Sequence, residues 1–171
     1  MLKNKQKGFT LIEMIVVMAI IVILSTLVLA NYRDGRKRYA LAQSAQQLAS
    51  DLRKVQNMSM NGVGITVNRA GYGVYAKEGN TSYLIYSNTN AAQNYQPSDE
   101  TIEIVNLANN VKITAISTVN DKADVYYKSP DPITYFKSPG NPTIIVITLG
   151  MDDFTGTETV TVTLTGVIQV N

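Results

Sequence analysis

The chain has 171 residues, of which 45% are hydrophobic and 16% charged, and a formal net charge of +2. These values indicate one ordered globular domain with an additional element, and they exclude a disordered chain. The chain contains no cysteine and no histidine, which excludes disulfides, thiolate metal sites and histidine-dependent nucleophilic catalysis, so we predict a protein that is not an enzyme and has no cofactor.

Residues 1–8 form a short basic leader. Lys3, Lys5 and Lys7 carry three positive charges, and no acidic residue offsets them. Without this leader the formal side-chain charge falls from +2 to −1. The bulk charge of the remaining chain therefore does not favour nucleic-acid binding.

Residues 9–30 form an apolar segment with a single charged side chain, Glu13. As a helix that rises about 1.5 Å per residue, this segment would span roughly 33 Å, which is enough to cross a bilayer. An ionised carboxylate is costly in hydrocarbon and needs a partner. Cleavage after Gly8 would place a new α-amino group on Phe9, one helical turn from Glu13. We expect Glu13 of one subunit to pair with the Phe9 amine of a staggered neighbour, the alternative being that Glu13 lies at the level of the lipid headgroups.

The run Lys7-Gly8-Phe9-Thr10-Leu11-Ile12-Glu13, followed by an uninterrupted apolar stretch, resembles the class III signal of type IV pilins and type II secretion pseudopilins. The resemblance implies that a membrane-embedded prepilin peptidase removes residues 1–8, that Phe9 is N-methylated, and that Glu13 stands at the family's fifth mature position. It also implies a precursor that crosses the cytoplasmic (inner) membrane once. An inner-membrane assembly platform would then polymerise it with other pilin subunits into an extracellular or periplasmic filament.

Two other interpretations of the N-terminus remain open. An ordinary secretory signal peptide would be cleaved near Ala30, because Val28-Leu29-Ala30 imitates a small-residue cleavage site. Its apolar region would, however, be unusually long and interrupted by Glu13. An uncleaved membrane anchor is the third interpretation, and it leaves Gly8 and Glu13 without a role.

A basic cluster follows the apolar segment and consists of Arg33, Arg36, Lys37 and Arg38. By the positive-inside rule it competes with the leader lysines for the cytoplasmic side, where we still expect the leader. One interpretation is a solvated collar whose side chains reach the headgroups. The other is a contact site for a partner subunit or an acidic partner.

Residues 31–61 predict an amphipathic continuation of the helix, because apolar side chains recur at spacings of three and four. The apolar stripe consists of Leu41, Ala45, Leu48, Leu52, Val55 and Met58. No proline occurs before Pro97, so we expect one helix from Phe9 to about Met60.

Residues 62–171 predict a β-rich extracellular head, because apolar residues recur with a period of two between turn residues. The candidate strands are Val63–Val67, Tyr72–Ala76, Tyr83–Ser87, Thr101–Val105, Val111–Ser117, Asp124–Lys128, Thr143–Leu149 and Glu158–Val170. The predicted fold class is α+β, with a long N-terminal α-helical spine packed against the β-rich globular head.

The sequence pattern also predicts which faces of two strands in the head are buried. Ile144–Leu149 is apolar at both parities, which predicts a central strand covered on both faces. The run Glu158–Val170 alternates apolar and polar residues, which predicts one strand with one buried face, and Gly166 is open to interpretation as a bulge or a turn. The run Leu48–Asn57 leading to Gly62, together with a C-terminal strand pair around Thr159–Val170, resembles the H-type minor pseudopilins and related minor pilins, which favours a minor subunit.

The head offers few residues for chemistry. Asp121 with Asp124, and Asp152 with Asp153, are its acidic pairs, and we interpret them as turn formers rather than calcium ligands. Eight of the ten tyrosines of the chain lie in the head; they suit strands, and without interleaved Lys or Arg they do not predict nucleic-acid binding. The predicted function is a structural filament subunit, and the alternative is a minor-pilin binding module for DNA uptake or adhesion.

Overall fold

The computed structural model describes residues 8–62, 71–88, 93–108, 110–130, 133–136, 140 and 142–171. This part of the chain forms one helix and nine strands: α1 (Leu11–Met60), β1 (Gly71–Lys77), β2 (Ser82–Asn88), β3 (Glu100–Asn106), β4 (Lys112–Ile116), β5 (Lys122–Lys128), β6 (Thr134–Phe136), β7 (Ile144–Met151), β8 (Phe154–Thr163) and β9 (Ile168–Val170). The α+β class is confirmed. The predicted strand Val63–Val67 and leader residues 1–7 lie outside the described residues.

The strands form two antiparallel sheets. The first sheet has five strands in the order β3-β2-β1-β5-β6, and the second has four in the order β4-β7-β8-β9. The short strand β6, which the sequence pattern did not predict, pairs with the end of β5. Three residues are too few for an alternation to be recognised, so only the pairing reveals this strand.

The chain divides into two compact units, Met1–Lys37 and Arg38–Asn171. In the second unit, one hydrophobic core joins the helix to both sheets. The predicted apolar stripe is confirmed, because Leu41, Ala45, Leu48, Leu52 and Val55 are at most 2% exposed and Met58 packs at the margin of this core. Burying these side chains stabilises the helix far more than its intrinsic propensity does.

Polar side chains of the helix also contact both sheets. The Tyr83 hydroxyl donates to Asp51 Oδ2 at 2.6 Å, and Lys54 Nζ lies 2.9 Å from Glu103 Oε2, so both bonds reach the first sheet. The Arg53 guanidinium donates to the Ile168 carbonyl in the second sheet at 3.1 Å. These contacts orient the helix about its own axis in a way that apolar burial alone does not.

The prediction of one continuous strand from Glu158 to Val170 was wrong, and the alternative of a turn at Gly166 is confirmed. Strand β8 ends at Thr163 and β9 begins at Ile168, and the two pair as a hairpin. Gly166 lies in the connecting turn with a φ of +81°, a conformation that glycine adopts without steric cost. The connection has an even number of residues, so the alternation continues in phase across it and conceals the turn.

Strand β7 lies between β4 and β8, which confirms its predicted inner position. The prediction that both of its faces are covered was wrong. Ile145, Ile147 and Leu149 are fully buried, whereas Ile144 is 48% exposed and Val146 is half-buried. Residues of only one parity enter the core, as is usual for an antiparallel sheet with one face toward solvent.

The first unit contains the N-terminal part of α1. Within the described part of the chain, no helix combines the length and the apolar character needed to cross a membrane. The transmembrane prediction for residues 9–30 is therefore not confirmed.

Tyr127 supplies a test of the core. Its side chain is fully buried, and its hydroxyl has no hydrogen-bond partner among the described residues. We expect Tyr127→Phe to leave the free energy of unfolding unchanged or to raise it by about 1 kcal/mol, because a buried unsatisfied hydroxyl is removed. Urea denaturation of the variant measures this. The control is Tyr83→Phe, which loses the bond to Asp51 and should destabilise the head by about 2 kcal/mol; a comparable loss in Tyr127→Phe would contradict the prediction.

Candidate functional site

The predicted cleavage position lies just before the helix. Gly8, Phe9 and Thr10 are exposed and non-helical, and the Phe9 side chain is 76% exposed. A Cβ added at Gly8 would meet no atom within 4 Å. The fold itself therefore tolerates a side chain at position 8, and any requirement for glycine there must come from a partner that approaches this backbone.

Thr10 and Glu13 form reciprocal hydrogen bonds at the start of α1. The Glu13 N–H donates to Thr10 Oγ1 at 3.3 Å, and the Thr10 N–H donates to Glu13 Oε2 at 3.5 Å. This arrangement is a capping box, which satisfies two N–H groups that the helix leaves without intrahelical acceptors. The Glu13 carboxylate also lies in the first helical turn, where the helix dipole favours a negative charge.

The sequence analysis missed this role of Thr10. The signal was present, because Thr-x-x-Glu immediately before an apolar run is a recognised helix-start pattern. Glu13 therefore has a local structural function in addition to the predicted pairing between subunits. Any experiment on Glu13 must separate the two.

The first part of α1 presents a long apolar surface. Its large hydrophobic side chains are between 49% and 79% exposed: Leu11, Ile12, Met14, Ile15, Val16, Val17, Met18, Ile20, Ile21, Val22, Ile23, Leu24 and Val28. Contiguous apolar surface of this extent marks a site of contact with protein or lipid. The helix is apolar on all sides here, so it offers no solvent-facing stripe.

The hydroxyl groups within this apolar surface bond to the helix itself. The Ser25 hydroxyl donates to the Ile21 carbonyl at 2.7 Å, and the Thr26 hydroxyl donates to the Ile23 carbonyl at 2.8 Å. Such bonds satisfy a hydroxyl without water or a partner chain. The segment is therefore compatible with an environment that contains no water.

The four residues of the predicted basic cluster all lie on α1. Arg33, Arg36 and Arg38 are exposed, and Lys37 is half-buried. The Arg36 guanidinium lies 5.9 Å from the centre of the Tyr32 ring, within the range of a cation–π contact. Arg38 instead lines a groove of about 280 Å³ with Leu41 and residues 154–158 of β8.

The acidic pairs of the head occupy structural positions. Asp152 forms an ion pair with Lys112, Asp121 lies in a turn with a φ of +54°, and Asp124 is buried in β5. Among the described residues, no group of three or more Asp or Glu side chains is close enough to hold a metal ion. Asp121 and Asp152 therefore lie in turns, as interpreted, whereas the interpretation of Asp124 as a turn former was wrong, because Asp124 lies within β5.

Comparison with known proteins bears on the N-terminus alone. The family model of the prokaryotic N-terminal methylation motif matches residues 3–29. No curated protein and no solved structure matches the chain significantly. Proteins with this motif are structural subunits rather than enzymes. The N-terminal segment of this chain therefore carries a type IV pilin-like prepilin signal.

Proposed function

We propose that this chain is a structural subunit, of the minor pilin or pseudopilin kind, of a type IV pilus or a type II secretion-like filament. The observation that carries the proposal is the methylation motif at residues 3–29, which contains Gly8, Phe9 and Glu13 in the order that the prepilin signal requires. A prepilin peptidase removes residues 1–8, and Phe9 becomes the methylated N-terminus. The helix from Phe9 onward then packs against the helices of other subunits.

The exposed apolar surface of α1 supports this assembly. Exposing large hydrophobic side chains to water on every side of a helix is unfavourable, so other apolar groups are expected to cover this surface. We propose that lipid covers it before assembly and that neighbouring subunits cover it in the filament. The hydroxyls of Ser25 and Thr26, bonded to their own helix, suit both surroundings.

The proposed pairing within the filament joins Glu13 of one subunit to the Phe9 amine of its neighbour. Cleavage creates a positive charge at the same end of the helix that holds the Glu13 carboxylate. A staggered neighbour neutralises both charges, whereas an unmatched register leaves one of them unpaired in apolar surroundings, which costs several kcal/mol. The pairing would therefore select one register among the many that apolar contacts alone allow.

The N-terminus of the mature protein tests the proposed processing. We expect Edman sequencing and intact mass of protein purified from its own cells to show a chain that starts at Phe9 with one added methyl group. A start at Asn31 would support a secretory signal peptide instead, and an intact N-terminus would support an uncleaved anchor. Both outcomes would overturn the proposal.

Two glycine variants sharpen this test. Gly8→Leu should abolish cleavage, because the added side chain hinders a protease that must approach the backbone at position 8. The control is Gly35→Leu, since Gly35 also has no atom within 4 Å of an added Cβ and leucine favours the helix. The control should be processed normally. Normal cleavage of Gly8→Leu would contradict the assigned cleavage position.

A further inference from the structure

The first sheet has a second face, opposite the core, that is rich in tyrosine. In β1, Tyr72 and Val74 enter the core, so Gly71, Gly73 and Tyr75 belong to the opposite parity and the opposite face. A Cβ at Gly73 would lie 2.4 Å from Cζ of Tyr86, and one at Gly71 would lie 2.6 Å from the Tyr126 hydroxyl. The two glycines therefore make room for tyrosine rings that lie flat against the strand.

A buried carboxylate organises this face. Asp124 is 6% exposed; its Oδ1 accepts the Tyr86 hydroxyl at 2.6 Å and its Oδ2 accepts the Tyr95 N–H at 2.7 Å. Burial, and then the charge of Asp124, raises the pKa of Tyr86 far above its usual range, so this phenol remains a donor. Asp124 thereby attaches the loop that carries Tyr95 to the sheet.

The loop and the sheet enclose a cavity that we call the tyrosine pocket. Its volume is about 280 Å³, and besides Asp124 it is lined by Tyr75, Asn94, Tyr95, Pro97, Asn120 and Lys122. The Tyr95 ring lies 4.7 Å from the Tyr75 ring and 5.3 Å from the Tyr86 ring, centre to centre. These contacts hold the two tyrosines of the wall in place, so a ligand would meet a preorganised surface.

The lining of the tyrosine pocket combines aromatic rings with amide and ammonium groups. Ring faces carry negative partial charge and attract the slightly positive C–H face of a pyranose. Asn94 and Asn120 supply amide donors and acceptors, Lys122 supplies a donor, and the Tyr75 phenol remains protonated because burial raises its pKa. The volume lies just below the roughly 300 to 1,000 Å³ of ligand pockets, which suits one ring-sized unit.

We propose that the tyrosine pocket binds a single uncharged sugar unit of a glycan, with Tyr75, which is packed against Tyr95, stacking on the sugar ring and Asn94, Asn120 and Lys122 contacting its hydroxyl groups. This inference concerns the head alone and does not depend on cleavage after Gly8. The failure of either proposal therefore leaves the other intact.

The charges of the tyrosine pocket disfavour a nucleic acid. Lys122 is its basic lining residue, and the Asp124 carboxylate lines the same cavity. Single-stranded nucleic acids are bound by stacking platforms that lie within positively charged grooves, because each phosphate needs a counter-charge. Lys122 and Asp124 together provide no net positive charge for a phosphate. An uncharged sugar does not need a counter-charge.

Saturation-transfer NMR on the full-length protein tests the proposal. The protein is kept in micelles of a detergent without a sugar headgroup, and the probes are methyl glucoside, methyl galactoside, methyl mannoside and N-acetylglucosamine at millimolar concentration. We expect transfer to the ring C–H protons of at least one probe. Tyr75→Ala should weaken that binding about tenfold, whereas Tyr75→Phe, which retains the ring, should remain within about threefold.

A matched control lies on the second sheet. Thr157→Ala alters an exposed β8 residue outside the tyrosine pocket and should bind the probe as the unmodified protein does. Absence of transfer to all four probes would overturn the proposal, as would full binding by Tyr75→Ala. Binding of a twelve-residue oligothymidylate that Tyr75→Ala abolishes, without sugar binding, would instead assign the pocket to single-stranded DNA and also overturn it.

Discussion

Glu13→Ala should abolish filament assembly while the head remains folded. The variant leaves the proposed Phe9 amine without a partner in apolar surroundings, at a cost of about 3 to 5 kcal/mol for each contact. This corresponds to a loss of roughly two to four orders of magnitude in the association constant between neighbours. Electron microscopy of sheared filaments measures assembly, and circular dichroism of the purified subunit measures folding.

The capping box provides the controls, because Glu13 also bonds to Thr10. Thr10→Ala removes the capping hydroxyl but keeps the charge, so it should assemble nearly normally, with a cost of about 1 kcal/mol at the helix start. Glu13→Gln keeps a capping side chain but loses the charge, and it should fail to assemble. Normal filaments from Glu13→Gln, or their loss in Thr10→Ala, would show that capping rather than pairing explains the role of Glu13.

Gly73→Ala should destabilise the head by about 3 to 5 kcal/mol. The new Cβ would lie 2.4 Å from Cζ of Tyr86, and that side chain is fully buried, so the ring has to move. Movement strains the packing and weakens the 2.6 Å bond to the buried Asp124 carboxylate, and these costs add to each other. Chemical denaturation followed by circular dichroism measures the change in the free energy of unfolding.

A double-mutant cycle separates the ring contact from a backbone effect. Tyr86→Leu alone should destabilise the head, because a large buried ring and its hydrogen bond to Asp124 are lost. In that background Gly73→Ala should cost less than about 1 kcal/mol, since the smaller side chain leaves space for the methyl group. An equal cost of Gly73→Ala in both backgrounds would refute the proposed contact with the Tyr86 ring.

The two faces of the first sheet show why the strands could be predicted from the sequence and the tyrosine pocket could not. The period of two predicted a strand at Tyr72–Ala76, and in the structure Tyr72, Val74 and Ala76 enter the core. On the other face, the same periodicity says only that Tyr75 belongs there. Its neighbour Asp124 lies directly across from it in the register of β1 and β5, and no local pattern contains that pairing.

The capping box illustrates a different limit. Thr10 and Glu13 are three residues apart, so the pattern was available in the sequence, but the charge of Glu13 directed attention to a partner in another subunit. The proposed assembly role is compatible with the capping role, since a carboxylate has two oxygens that accept hydrogen bonds. The capping role of Glu13 is visible in the structure of a single chain. The proposed assembly role requires a neighbouring subunit.

Three features depend only on residues close together in the chain and were predicted from the amino-acid pattern: the prepilin signal around Gly8, Phe9 and Glu13, the apolar stripe of the helix, and the change to a period of two in the head. Other features are visible only in the folded protein: the pairing of β8 with β9, the exposed face of β7, and the contacts among Tyr75, Tyr95 and Asp124. The two groups of features differ in the distance along the chain between the residues that interact. Periodicity and capping arise from neighbours within one or two turns of backbone, whereas register and enclosed volume depend on which distant strands pair.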